Sequence, residues 1–541
     1  MATAPRATQP ADGLRPVPRG GRPTARAGRT GGRSWLLFGV GCLIALAALA
    51  PLGFLVLEAV QDGSSTLRPL LFRRLTASLL WNTVSLTAVV TLFCAVIGTL
   101  AAWFVERTDL PGRRIWAVLV VIPVGIPDFV TSFGWKSIFP SIHGFGAAAL
   151  VMTLAVYPLV YLPVAASLRN ADPAQEEVAR SLGLGRLQTF WRVTVAGARL
   201  AILGGCLLVA LVMLSEYGAF EILGFRTFTT EIFTEFLVGF NSPAACALSL
   251  VLVLLSLIVL AGEGVSRGKG RVSRSGPLAA RIAHRHLLGR ARLPVLAGFL
   301  ALIGLALGIP IGAIVYLVLR GGHSTLPSAS ILSAAGHTAL YAAAAGLVAT
   351  LAALPVALLS LRHTGRLPQA VERSIYLVLG IPGLVIALAL SYFSERYAAG
   401  FLYQSATMLI GAYALMFLPL ALVAVRASVA QAPPRLEEVG RSLGCSRLEV
   451  LRRVTIPLVA PGLAAGFCLV FLSAVTELTA TLVLIPTGAQ TLATEFWAFQ
   501  TNLSYSQAAP YAGLMILIAA IPSYVLGRWF DRMPSRSGTA A

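Results

Sequence analysis

Twelve apolar stretches of spanning length follow one another along the chain. They lie at 35–59, 82–105, 115–136, 146–168, 198–222, 244–264, 293–319, 337–361, 374–394, 404–425, 461–485 and 509–529. A spanning helix takes about 20 mostly apolar residues. None of the stretches shows the alternation of a barrel strand. In lipid the backbone must satisfy its own hydrogen bonds, so each stretch predicts a helix. The expected fold is an all-α integral membrane protein of about twelve transmembrane helices.

Composition strengthens this reading. Of the 541 residues 57% are apolar and only 12% charged, whereas a soluble chain carries about 25% charged residues. The net charge of +20 raises the question of nucleic acid, and the placement of the charges answers it. With a cytoplasmic N-terminus, 35 of the 42 Lys and Arg fall on the side expected inside: 34 in 1–34, 106–114, 169–199, 265–292, 362–373, 426–453 and the tail, and Arg528 at the inner end of the last span. Lys and Arg collect on the cytoplasmic side of membrane proteins, so the bias sets an orientation with both termini inside. Lipid is the implied neighbour, and no nucleic acid is expected.

Residues 1–34, rich in Arg, Pro and Gly, predict a disordered basic arm. The apolar run after it is too long for a signal peptide and is expected to stay as the first span. Residues 265–292 form a second basic stretch, read as a solvated linker between halves 35–264 and 293–529. Residues 530–541 are the cytoplasmic tail. The halves repeat one another. Asn82-Thr83 answers His337-Thr338, and Gly125-Ile126-Pro127 answers Gly380-Ile381-Pro382, both at an offset of 255. EEVARSLGLGRLQTFWRVT at 176–194 matches EEVGRSLGCSRLEVLRRVT at 437–455 at twelve of nineteen positions, and Glu216 and Glu477 continue that offset of 261. Six spans per half is even, so the repeat is parallel and both loops face the cytoplasm.

Each loop reads as a helix-turn-helix. Asp172 is placed to cap the first copy, with Pro173 and Gln175 behind it. Val178 and Leu182 give one apolar stripe, and Gly183 ends the helix. Leu187, Phe190 and Val193 make a second apolar face. The second copy repeats this with Val439, Leu443, Gly444, Leu448, Leu451 and Val454. A helix of this kind suits docking to a partner or lying at the lipid interface. Repetition of Glu-Glu-Val-x-Arg-Ser-Leu-Gly favours docking, because lipid asks only for an apolar face.

These residues resemble the "EAA" loop of permease subunits of binding-protein-dependent ABC importers: Glu177-Val178-Ala179…Gly183…Val193-Thr194-Val195-Ala196, within 172–196, and Glu438-Val439-Gly440…Gly444…Val454-Thr455-Ile456-Pro457, within 433–457. Two loops in one chain resemble the fused permeases of iron(III) and thiamine importers. Ala196 stands where the second copy has Pro457, so the entry into the fifth span is expected to differ between halves. The resemblance implies a type I importer permease fold in the inner membrane. It implies Glu176, Glu177, Arg180 and Gly183, with Glu437, Glu438, Arg441 and Gly444, as contacts for two copies of a cytoplasmic ATPase, and an external binding protein that brings cargo.

No enzyme is legible in the chain. Gly268-Lys269 is the one Gly-Lys pair, without the glycine or the Ser/Thr of a phosphate-binding loop. ATP and Mg are therefore expected on a separate chain, with no cofactor here. The six Cys form no CxxC pair and read as small buried hydrophobes. His284 and His286 are the one close His pair and have no carboxylate near them in sequence, so no metal site is expected. Asp128, Glu216 and Glu477 fall in or near spans, where carboxylates are costly and face the protein interior. Asp128, after Pro127, reads as capping the break of the third helix or as contacting cargo; Glu216 and Glu477 read as structurally paired near their helix ends or as facing a path for a cation. Segments 215–231 and 476–495 resemble iron(III) permeases, with Thr479 in place of that family's Pro. This resemblance puts iron(III) first as cargo, with thiamine or a polyamine next; an ion-coupled secondary transporter is the rival from another class.

Overall fold

A computed structural model describes residues 34–172, 174–239, 241–266, 286–321 and 329–532. The arm, most of the basic linker, Pro173 and the last tail residues lie outside them. The first half comprises α1 (Ser34–Leu71), α2 (Arg74–Arg107), α3 (Arg113–Leu119), α4 (Asp128–Ile138), α5 (Gly144–Val156), α6 (Pro158–Asn170), α7 (Ala174–Ser181), α8 (Arg186–Thr189), α9 (Ala196–Ser215), α10 (Gly218–Ile222), α11 (Phe228–Leu237) and α12 (Ser242–Ser266). The second comprises α13 (Arg292–Ile303), α14 (Ile309–Arg320), α15 (Ala329–Arg362), α16 (Arg366–Leu377), α17 (Gly383–Tyr397), α18 (Ala406–Gln431), α19 (Pro434–Ser442), α20 (Arg447–Val450), α21 (Ile456–Val475), α22 (Thr479–Leu484), α23 (Leu492–Thr501) and α24 (Tyr505–Arg532). Among the described residues nine helices are long and apolar enough to span, and two bent pairs bring this to eleven. With α24, the twelve expected positions are filled.

The third span of each half is broken, for a reason written in its sequence. Pro at 127 and 382 pushes the residue before it out of the helical region. Ile126 and Ile381 are accordingly extended, with φ/ψ of −99/125° and −104/114°. The chain turns by 94° into α4 and by 104° into α17.

Inside lipid, helices gain nothing from burying apolar faces on each other, so close approach of small residues holds them together. The core of the first half is α2, α6 and α9; that of the second is α15, α18 and α21. At Gly205 a Cβ would lie 2.7 Å from Val160 Cα, and at its repeat partner Gly466 a Cβ would lie 3.4 Å from Ala421 Cα. Leu43, Leu92, Leu254, Leu300, Leu340 and Leu351 stay exposed on the outside, as a lipid-facing belt requires.

The first span of each half lies on the other half. Helix α1 packs on α15, α16 and α17, and Arg396 pairs with Glu58 at 3.2 Å. The α13–α14 span crosses the first half, with Phe299 against Phe104 and Trp116 and Pro310 backed onto Gly134.

Two repeated side-chain contacts explain the Asn82-Thr83 and His337-Thr338 match. Thr83 Oγ1 accepts from Phe228 N at 3.2 Å, and Thr338 Oγ1 accepts from Leu492 N at 2.9 Å. Asn82 Nδ2 donates to Arg226 O, and His337 Nδ1 lies 3.0 Å from Gln490 O. These pins fix the starts of α11 and α23, both closed by Thr–Thr capping boxes.

Candidate functional site: a carboxylate-lined cavity and two repeated loops

Where the halves meet, the broken spans leave a cavity of about 380 Å³. Asp128, Glu216 and Glu477 line it, with Ser215, Thr476 and Met416. No Lys, Arg or His is among its lining residues. Glu216 ends α9 in an extended conformation, and its Oε1 accepts from Ala219 N at 2.7 Å. Glu477 repeats this at the start of α22, with Oε1 accepting from Ala480 N at 3.0 Å. Thr229 and Thr481 hydroxyls donate to the carbonyls of Glu216 and Glu477, each at 2.6 Å. Each glutamate thus caps a short helix while facing the cavity, a capping role that neither sequence reading of these residues contains. Gly218 and Leu478 touch at this seam; a Cβ on Gly218 would come within 2.7 Å of Leu478 Cδ2.

Asp128 differs. It opens α4, yet among the described residues its carboxylate makes no hydrogen bond, so it does not cap the break. Its repeat position is Gly383, where a Cβ would lie 2.5 Å from Met416 Cε and 3.7 Å from Glu477 Oε1. The cavity is therefore acidic on both sides but more so on the first half.

The two repeated loops form as their residues dictate. Asp172 Oδ1 accepts from Ala174 N at 3.0 Å. Gly183 and Gly444 take the left-handed conformation at φ +87° and +88°. Leu184 N then donates to Ala179 O and Cys445 N to Gly440 O, both at 3.1 Å, the bonding that closes a helix C-terminus. The inner faces are Ala179 and Gly440, both buried. Val178, Leu182 and Leu187 face outward, as do Val439, Leu443 and Leu448. Glu177 and Glu438 are exposed beside them.

The neighbouring glutamates turn inward. Glu176 is buried and Glu437 half-buried. Arg107 and Arg362, each the last residue of its half's second span, meet them. Arg362 Nη2 donates to Glu437 Oε1 at 3.0 Å, and Arg107 Nε lies 3.8 Å from Glu176 Oε1. The same guanidinium groups donate to Ala171 O and Ala432 O at 3.2 and 3.0 Å, tying each loop to a span. Burial alone would raise the Glu176 carboxyl. The hydrogen bond from His286, the Arg107 charge and the Thr194 hydroxyl at 2.9 Å outweigh it and hold the carboxyl below its ordinary value. Arg441 lies 3.8 Å from Glu437 on its own helix, while Arg180 reaches His286 instead.

Ala196 and Pro457 make less difference than expected. Both loops enter the fifth span through a π-turn, at Phe190–Val195 and Leu451–Thr455. A π-turn loosens the usual i→i−4 ladder, so the N–H that proline lacks is not needed there. The sequence offers no sign of the roles of Arg107, Arg362, Thr194 and His286, all distant in the chain from the glutamates they meet except Thr194.

Two repeated helical halves around an acidic central cavity, each with one exposed amphipathic helix on the same face, define a polytopic membrane permease. The family described as the binding-protein-dependent transport system inner membrane component matches residues 95–264 and 348–536. The chain belongs to that family and carries its domain twice. It is 36% identical over 492 residues, 90% of this chain and 97% of the relative, to an Fe(3+)-transport system permease protein of Haemophilus influenzae. A sulfate transport system permease protein of Synechocystis is 32% identical over 30% of this chain and 67% of its own length. A spermidine/putrescine transport system permease protein of Haemophilus influenzae is 26% identical over 42% of this chain and 88% of its own length.

Proposed function

We propose that this chain is the permease of an ATP-driven importer of iron(III). The observation that carries the cargo reading is the cavity: three carboxylates line it and no cationic side chain does. Such a site attracts cations and repels sulfate. The Fe(3+)-transport relative supports the reading along nearly the whole chain, whereas the sulfate relative aligns with less than a third. Iron(III) is a hard ion suited to oxygen ligands. A path must also release its cargo, and among the described residues no three of His, Cys, Asp and Glu converge as a ligand set. The carboxylates then supply an attractive field, and an external binding protein supplies selectivity.

The loops give the drive. Helices α7 and α19 each offer a short apolar stripe beside an exposed glutamate, one for each of two cytoplasmic ATPase copies that carry ATP and Mg. Closure of the ATPases moves both helices, opens the cavity outward to the docked binding protein, and their reopening admits cargo inward. The charge bias supports a topology with both termini, the linker and both loops inside.

Uptake of labelled iron(III), spermidine, thiamine and sulfate in a deletion strain, with and without the restored gene, tests the cargo. Restoration of iron(III) uptake alone is expected; restoration of sulfate uptake alone overturns the cation reading. For orientation, Leu182→Cys in a Cys-free variant should resist an impermeant maleimide in intact cells and react in inverted vesicles. Labelling from outside reverses the topology.

A further inference from the structure

The linker between the halves is described again from His286 onward, and there it is fastened to the first half. His286 N donates to Arg107 O at 2.9 Å, and Asp109 N donates to His286 O at 3.2 Å. Leu288 N donates to Asp109 Oδ1 at 2.8 Å. Three hydrogen bonds thus pin this stretch along the end of α2, and the imidazole stands against Trp103 with ring centroids 5.9 Å apart.

From this anchored position the ring reaches α7. Nε2 lies 3.2 Å from Glu176 Oε2, and Arg180 Nη2 lies 2.6 Å from Nδ1 and 3.3 Å from Nε2. A carboxylate only accepts, so Nε2–H donates to Glu176 while the guanidinium lies against the same ring. One side chain so joins residues i and i+4 of α7, which share a face of the helix, to the backbone that leads into α13. The second loop has the same glutamate and arginine, Glu437 and Arg441, but among the described residues these meet only each other and Arg362.

We propose that His286 is a positioning residue, which makes the connection between the halves a strap that sets the orientation of α7 for its ATPase. The inference rests on the reading of α7 as a docking helix. It means that fusing the halves added a part to the machine: one docking helix is held from both halves of the chain and the other is not. His286 was discounted as half of a metal-binding pair with no carboxylate near it; folding supplies the carboxylate from a position 110 residues away.

The test uses the full chain as wild type, His286→Ala and His286→Gln, alone in lipid nanodiscs and assembled with its ATPase. In the permease alone, His286→Ala should speed hydrogen exchange of the 174–182 amides at least tenfold and leave 434–442 unchanged. His286→Gln, whose amide can donate to Glu176 and accept from Arg180, should restore most of the protection. In the assembly, His286→Ala should lower ATP hydrolysis stimulated by the loaded binding protein about fivefold, with the ATPase still co-purifying and His286→Gln near wild type. Unchanged exchange at 174–182 overturns the proposal, as does faster exchange with undiminished stimulated hydrolysis. The docking reading fails separately: if Glu177→Arg with Glu438→Arg leaves the ATPase bound while exchange at 174–182 still responds to His286, the strap stands and the docking assignment does not.

Discussion

The two repeated loops are nearly the same peptide folded the same way, yet they are held differently. Both end their first helix on a left-handed glycine, both tie an inward glutamate to the last arginine of the second span, and both pass through a π-turn. Glu176 is 8% exposed and takes contacts from Arg107, Thr194 and His286. Glu437 faces a groove of about 640 Å³ lined by Leu36, Arg362 and His363. The second loop is braced instead within itself: Ser446 N donates to Glu449 Oε2 at 2.9 Å and Glu449 N to Ser446 Oγ at 3.3 Å, a capping box that the first copy lacks, having Gly185 and Gln188 there. A duplicated sequence therefore fixes the helix-turn-helix and its ion pair. Residues outside the repeat decide how firmly each copy is seated.

The largest effect should come from the outward glutamates, which the two loops share. Glu177→Arg with Glu438→Arg should abolish uptake and ATPase co-purification while the permease remains folded in the membrane, as monodisperse size-exclusion elution would show. Unchanged transport and unchanged co-purification would falsify the docking assignment for both loops.

The inward ion pairs should separate the loops. Arg107→Ala leaves a buried glutamate short of its cation, at a cost of about 3–5 kcal/mol. Arg362→Ala removes charged hydrogen bonds from a half-buried site, at about 1.5–3 kcal/mol. Local hydrogen exchange should then rise more at 174–182 for the first variant than at 434–442 for the second. Equal responses would erase the difference that burial makes.

Acid should loosen the first loop late. The Glu176 carboxyl titrates below its ordinary value in the folded protein. Its contribution is complete above the unfolded value of about 4.3 and is lost as pH falls through the lower folded value. In the His286→Gln variant, which keeps a donor to Glu176 without an imidazole, exchange at 174–182 should stay constant from pH 7 to about 5, after correction for intrinsic rates, and rise only below about 4. A rise between pH 7 and 5 would show that the carboxylate is not held as the geometry indicates.

The smallest effects should be equal in the two loops. Gly183→Ala and Gly444→Ala each force a Cβ into the left-handed conformation, at about 1 kcal/mol. Matching shifts in local opening are expected, since φ differs by only a degree between the two. Unequal shifts would place the loops' difference in the turn rather than around Glu176.

Much of this protein was legible in the order of its residues. Length and apolarity of each stretch determined the spans, because lipid offers the backbone no other partner. Pro127 and Pro382 determined the breaks, because proline restricts the residue before it. Gly183 and Gly444 determined where the loop helices stop, and the repeat determined that there are two of each. These are local effects, carried by neighbours in the chain. What the sequence left open is which distant groups meet. For Glu216 and Glu477 the sequence leaves pairing near the helix ends and a place on the path both open, and tertiary structure puts helix-capping and cavity-lining in the same side chains. Asp128 had a capping role open to it, and the fold left its carboxylate toward the cavity instead. That Glu176 points inward while its neighbour Glu177 points out follows from the side on which α2 delivers Arg107, and His286 reaches Glu176 only because residues 286–288 lie along the end of α2. Charge pairs in a membrane protein form where spans bring chain ends together, and no spacing along the sequence encodes that meeting.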